Sequence, residues 1–167
     1  ACMAGSVLIA YYSWSGNTRR LAEAIYRLTG GTLFEIVPAT PYPADYDETV
    51  RQAREEIRRG YKPQLKSRLE TIEPFKVVFV GSPNWWGTIA PPVASFLSMY
   101  DFSGKVVAPF FSHGGGGLQR MLTAVKQLCP RSTVLDPLVV YEGDVDRAEE
   151  LVGAWLKRLG IERYLGP

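Results

Sequence analysis

Three near-continuous apolar runs constrain this chain more than any other feature: Ser6–Ser13, Lys76–Ser82 and Lys105–Ser112. A strand that is apolar at both parities has two faces to bury. A parallel sheet covered by helices on both sides provides that burial. Ser132–Tyr141 reads as a further strand of this kind, and Thr32–Pro38, which alternates more, as an edge strand.

Helical stripes separate the strands. Leu21, Ala24, Ile25 and Leu28 form the first, ended by Gly30-Gly31. Tyr46, Val50, Ala53 and Ile57 form the second, ended by Gly60. Val93, Phe96, Leu97 and Tyr100 follow the helix-opening pair Pro91-Pro92. Leu118, Met121, Leu122, Val125 and Leu128 form the fourth stripe, and Val145, Ala148, Val152, Trp155, Leu156 and Leu159 the last. Strand and helix alternate throughout. Right-handed crossovers then predict an α/β doubly wound three-layer sandwich on a parallel sheet.

At 167 residues the chain suits a single domain, residues 1–167, with residues 1–5 read as a leader outside the fold. A hydrophobic share of 46% with 22% charged residues excludes a disordered chain. No apolar run is long enough to cross a bilayer, and we expect no membrane association. A net charge of +2 gives no ground for nucleic-acid binding. Cys2 and Cys129 have neither metal-ligand spacing nor a disulfide pattern, so we expect reduced thiols, no metal and a cytoplasmic location. One stretch is locally basic. Between Arg51 and Arg68, Arg51, Arg54, Arg58, Arg59, Lys62, Lys66 and Arg68 face only Glu55 and Glu56, which suits a solvated helix face, or docking of an acidic partner or a phosphorylated cofactor.

In sheets of this kind ligands bind beyond the carboxyl ends of the strands. Three loops leave those ends: Ser13–Thr18 ("SWSGNT"), Ser82–Pro92 ("SPNWWGTIAPP") and Ser112–Leu118 ("SHGGGGL"). The first opens a helix, whose free N–H groups and partial positive charge suit an anion without any basic side chain. Ser13, Ser15 and Thr18 add hydroxyls, Asn17 adds an amide and Gly16 a tight turn, more than a helix cap needs. A phosphate seat follows. It is not a Walker loop, since Gly-Lys-Ser/Thr is absent. The dinucleotide fingerprint starting at Gly114 would need glycine at Gln119. A phospho-accepting receiver would need acids where Tyr12-Ser13 and Gly81-Ser82-Pro83 stand.

In the second loop, adjacent Trp85 and Trp86 beside Gly87 are costly to expose unless a flat ring covers them. Gly87 reads as the hinge of that turn. In the third, Gly114–Gly117 permit close backbone approach to a ligand. His113, the sole histidine, is the one catalytic candidate.

Together these motifs resemble the flavodoxin family. "SWSGNT" resembles its phosphate loop, and "PNWWG" and "SHGGGG" its two flavin-ring loops. "PYPADY" is similar to one branch of flavodoxin-like proteins. The resemblance implies a five-stranded parallel sheet of order 2-1-3-4-5 and non-covalently bound FMN. Ser13, Ser15, Gly16, Asn17 and Thr18 would hold the phosphate, with Trp14 or His113 left to shield one face of the ring. Ser82, Pro83, Asn84, Trp85, Trp86 and Gly87 would flank the ring on one side, and Ser112, His113, Gly114 and Gly115 on the other.

The chain departs from the family in three ways. The third loop lacks the tyrosine that often stacks on the flavin, no second block interrupts strand five, and the chain is not acidic as flavodoxins are. Two functions follow from the resemblance. One is an electron carrier between redox partner proteins, which we favour. The other is an NAD(P)H-dependent FMN oxidoreductase acting on quinones, flavins or nitro compounds.

Overall fold

A computed structural model describes residues 4–165. Of the expected leader, residues 1–3 lie outside the described residues, while Ala4–Ser6 form a 3-10 turn that runs directly into the first strand.

The strands are β1 (Val7–Tyr11), β2 (Thr32–Glu35), β3 (Val77–Trp85), β4 (Thr88–Ile89), β5 (Val106–His113), β6 (Thr133–Val134) and β7 (Leu138–Tyr141). The helices are α1 (Asn17–Thr29), α2 (Tyr46–Arg59), α3 (Pro91–Met99), α4 (Met121–Leu128) and α5 (Ala148–Leu159). The parallel sheet runs β2-β1-β3-β5, and β6 and β7 share its far edge. This is the expected order, with the fifth position divided between two short strands.

That division has a local cause. Val107 pairs with Val134 and Phe110 with Leu138, so Ala108 and Pro109 stand opposite Leu135, Asp136 and Pro137. Val107 accepts from Leu135 N, so its backbone faces the fifth position. Pro109, two residues on, faces the same way. It has no N–H to offer there. A bulge takes up the gap where a ladder bond cannot form, and the Trp155 indole N–H donates to the freed Asp136 carbonyl at 3.0 Å.

Both faces of the sheet are buried, which explains the unbroken apolar runs. Val7, Ile9, Phe79 and Phe110 pack under Leu21 and Ile25 of α1 and Val152 and Trp155 of α5. Leu8, Ala10, Val78, Val80 and Phe111 pack under Phe96 and Leu97 of α3 and Met121 and Val125 of α4. Gly81 sits in β3 because nothing larger fits: an added Cβ would lie 2.3 Å from the Phe110 ring.

In α2 the buried residues are Thr49, Ala53 and Glu56, not the whole stripe Tyr46-Val50-Ala53-Ile57 expected from spacing. Asp45 caps this helix, accepting from Glu48 N at 2.9 Å. Tyr46 stays exposed, and with Val50 it borders the site described next.

Candidate active site

The loops leaving β1, β3 and β5 meet around a cleft of about 800 Å3 at the carboxyl end of the sheet. From the first loop it is bordered by Trp14, Ser15 and Asn17; from the second by Pro83, Asn84, Trp85, Trp86 and Gly87; from the third by Ser112, His113, Gly114 and Gly116. Residues the motifs did not point to complete the walls: Tyr46, Thr49, Val50 and Ala53 of α2, with Gln119 and Glu142. The apolar stripe of α2 was the available signal, since part of it borders the cleft instead of the core.

The first loop leaves donors free. Gly16, at φ 102°, precedes α1, and no side chain caps the helix. Its first rung is Arg20 N to Gly16 O at 3.1 Å, so the N–H groups of Asn17, Thr18 and Arg19 precede the ladder. Ser13 folds the loop, its Oγ accepting from Gly16 N at 3.0 Å. Asn17 Nδ2 donates to Ser15 Oγ at 3.1 Å and to Glu142 Oε2 at 3.4 Å. Thr18 is buried and its hydroxyl meets Ser112 Oγ at 2.8 Å, tying the first loop to the third.

The second loop is a tight hairpin. Trp85 pairs with Thr88, and the two residues between them both have positive φ, 57° at Trp86 and 81° at Gly87. That is the signature of a type I′ turn, usually built from Asn-Gly. A tryptophan in the left-handed region is strained by about 1–3 kcal/mol. Several bonds hold it there. Trp86 Nε1 donates to Val50 O of α2 at 2.9 Å, and the Arg54 guanidinium sits 5.3 Å from the indole centre. Gly87 N donates to Asn84 Oδ1 and Gly87 O accepts from Arg120 N, each at 2.8 Å. Gly87 takes the positive φ expected of the turn's glycine, and both of its backbone groups are bonded. Ser82 is fully buried: its hydroxyl donates to Pro83 O at 2.8 Å and accepts from Ala90 N at 2.9 Å.

The third loop is clamped to the second. Asn84 Nδ2 donates to Gly117 O at 2.8 Å and to Gln119 Oε1 at 2.9 Å. His113 organises the glycines, its Nδ1 accepting from Gly115 N at 3.0 Å and Gly117 N at 3.1 Å. This assigns the ring proton to Nε2 and leaves Nδ1 no free lone pair for proton transfer.

Behind the cleft, Trp85 is wedged edge-on between two tyrosines, 4.9 Å from Tyr42 and 5.5 Å from Tyr12. Tyr42 hydroxyl donates to Glu56 Oε1 at 2.5 Å, and Gln52 Nε2 donates to Glu56 Oε2 at 2.9 Å. Burial, then the bond to Glu56, then its negative charge, hold the Tyr42 phenol well above its ordinary range. Burial and the Glu56 charge do the same at Tyr12. Glu56, with 5% exposure, is thus the buried anchor of the aromatic wall.

Among the described residues, no group of His, Cys, Asp and Glu could hold a metal ion, and no helix is long and apolar enough to cross a membrane. The site offers instead an uncapped helix end, aromatic walls and glycine-lined backbone, a donor set suited to a phosphorylated flat ring.

Comparisons with known proteins agree with this geometry. No curated protein matches. Among solved structures, a candidate flavoprotein of Bacteroides eggerthii is 29% identical with a TM-score of 0.81, covering 93% of this chain and 98% of that one. Another, from Bacteroides uniformis, is 26% identical with a TM-score of 0.82 over 92% and 99%. A Lactobacillus acidophilus flavoprotein solved in complex with FMN is 26% identical with a TM-score of 0.67 over 86% and 98%. A family model described as flavodoxin matches residues 6–159, nearly the whole described chain. Fold, loops and this match agree, and the chain belongs to the flavodoxin family.

Proposed function

We propose that the chain holds FMN in the three-loop cleft and transfers electrons between redox partners. The observation that carries this reading is the uncapped start of α1, which opens beside three tryptophans and a glycine loop in one cleft. The Lactobacillus acidophilus flavoprotein solved in complex with FMN supports the flavin part of it.

Each loop has a distinct task. The free N–H groups of Asn17, Thr18 and Arg19, with the Ser15 hydroxyl, bind the phosphate. The cleft-side arrangement needs no lysine, because the helix end carries partial positive charge. Trp14, Trp85 and Trp86 bound the ring and exclude water from it. Gly114 and Gly116 bring backbone close to its other edge. Thr18 and Ser112 hold the first and third loops in register, and Asn84 and Gln119 hold the second and third. Bound there, the flavin supplies reversible one- and two-electron chemistry, and the protein supplies placement and electrostatics.

The commitment of His113 Nδ1 to its own loop favours the carrier over an enzyme that uses that nitrogen as its base. The test is a parallel titration with FMN and riboflavin, followed by anaerobic mixing of the FMN-loaded protein with NADPH. We expect tighter binding of FMN than of riboflavin, and no reduction by NADPH on the timescale of reduction by dithionite. Equal affinity for both flavins overturns the phosphate seat. Rapid bleaching by NADPH, with turnover on a quinone, replaces the carrier by the reductase.

A further inference from the structure

We infer that the basic face of α2, together with Trp86, is the docking surface for an acidic redox protein. The inference rests on the proposed flavin site and adds where its partner sits and what charge that partner carries.

The charge balance on this face is sharper in three dimensions than in sequence. Of the two acids between Arg51 and Arg68, Glu56 points inward, to Tyr42 and Gln52. The other, Glu55, is shared by Arg58 at 2.6 Å and Arg59 at 3.7 Å. Arg51, Arg54, Lys62, Lys66 and Arg68 have no acidic partner among the described residues. Arg51, Arg54 and Arg58 are spaced i, i+3, i+7, so they form one stripe along the helix. All three are exposed.

This stripe adjoins the mouth of the cleft. Val50 and Ala53 of the same helix border it. Arg54 lies over Trp86, which also borders it and keeps 46% of its surface exposed. A second guanidinium–aromatic pair stands at the end of the helix, Arg59 at 5.2 Å from the Tyr61 ring centre, with Tyr61 45% exposed. Tryptophan, tyrosine and arginine are the residues that dominate protein–protein interfaces. Here they stand in solvent along one helix, and the strain at Trp86 is kept although the core gains nothing from it.

Electron tunnelling falls steeply with distance, so a carrier's partner must dock over the cofactor's open edge. Arg51 and Arg54, which have no acidic partner among the described residues, with Arg58 further along the stripe, select partners of negative charge and raise their encounter rate. With an acidic ferric protein as partner, the flavin held here would supply one electron and the iron would become ferrous.

The experiment uses FMN-loaded protein, reduced anaerobically with dithionite and mixed by stopped flow with oxidised rubredoxin, a small acidic iron protein. Oxidised cytochrome c, a basic haem protein, is the control. The parent is compared with Arg51→Glu/Arg58→Glu, neither residue bordering the cleft. We expect the rubredoxin rate constant to fall as salt rises from about 10 to 200 mM, as screening predicts. We expect the double variant to lose roughly tenfold or more of that rate at low salt, with unchanged FMN affinity and an unchanged or faster rate with cytochrome c. A salt-independent rubredoxin rate, or equal rates for parent and variant, overturns the docking surface. So does a variant that retains its rubredoxin rate but loses NADPH binding, which assigns the patch to a nucleotide phosphate. Loss of FMN binding by the parent itself would instead fail the flavin site, and the FMN titration separates the two failures.

Discussion

Thr18 illustrates how a motif position and a ligand contact can differ. Its hydroxyl, which sequence places in the phosphate loop, is buried against Ser112 Oγ at 2.8 Å. Ser15 is exposed and borders the cleft. The two positions should therefore separate in binding. Ser15→Ala should weaken FMN by roughly tenfold, the worth of one charge-assisted hydrogen bond, and leave riboflavin nearly unchanged. Thr18→Val should weaken both flavins together, because it unties two loops and removes no phosphate contact. Parallel titrations of both flavins against both variants check this. A phosphate-selective loss at Thr18 would place its hydroxyl on the ligand. Gly81 makes a second residue-scale case. Its Cβ position lies 2.3 Å from Phe110, and Gly81→Ala should lower stability by about 1–3 kcal/mol through overpacking, read as a lower urea midpoint at unchanged slope. The glycine motifs were legible because their conformational freedom is written in residue type. The direction of a hydroxyl is not: Ser13, Thr18 and Ser82 look alike in sequence, and only packing sends them to Gly16 N, Ser112 and Ala90 N.

At the scale of elements, most boundaries were legible because caps and periodicity agree. Gly30, Gly60 and Gly160 end α1, α2 and α5 in the left-handed conformation. The fifth strand was read as continuous although Pro137 is itself a local breaker; that the gap falls opposite Pro109 across the sheet is a non-local fact. Helix α2 departed for another reason. Its apolar residues partly line a cleft, and its buried face accepts a carboxylate, Glu56, because Tyr42 and Gln52 satisfy it. Removing that acceptor with Glu56→Ala leaves the Tyr42 hydroxyl unpaired and should cost about 1–3 kcal/mol. Glu56→Gln, which keeps an acceptor, should restore much of it, and Trp85 fluorescence should shift only in the alanine variant. The pH dependence follows from the same cluster. Tyr42 and Tyr12 hold their protons above the ordinary phenol value of 10.0 when folded. Cys129, pushed up to about 11 by burial, does the same above its ordinary 9.0. In each case the unfolded chain loses its proton first, so the folded state is favoured less as pH rises. Stability from these groups is complete below about pH 9 and should fall progressively above it, steepest beyond about pH 10. Tyr42→Phe should flatten the upper part of that fall in urea midpoints measured from pH 8 to 11. A midpoint that rises with pH would reverse the sign.

The whole molecule brings together three loops that lie far apart along the chain and holds them with a few polar bonds. Thr18 and Ser112 are 94 positions apart, and Asn84 and Gln119 are 35 apart. Each loop extends from a strand whose both faces are buried, so its base is rigid. The tips, Ser15 and Gly114–Gly116, are exposed and carry little packing of their own. Such tips are the low-stability end of a folded domain. A ligand that touches all of them should therefore act on the whole fold as well as on each loop. A ligand bound only by the folded state adds about 2.7 kcal/mol at a free concentration of 100 times its Kd. For a domain of this size that corresponds to a rise in melting temperature of roughly 5–10 °C. We expect FMN to produce this rise, and riboflavin to reach it only at proportionally higher concentration. Amide exchange should locate the gain: protection should increase at Ser15–Arg19, Trp85–Gly87 and Gly114–Gly117 together, while the central strands β1, β3 and β5, already buried, change only through global stability. A melting temperature that rises with FMN while exchange in the Gly114–Gly117 loop is unaltered would mean that the flavin binds without engaging the third loop, and the three-loop cleft would not be its site.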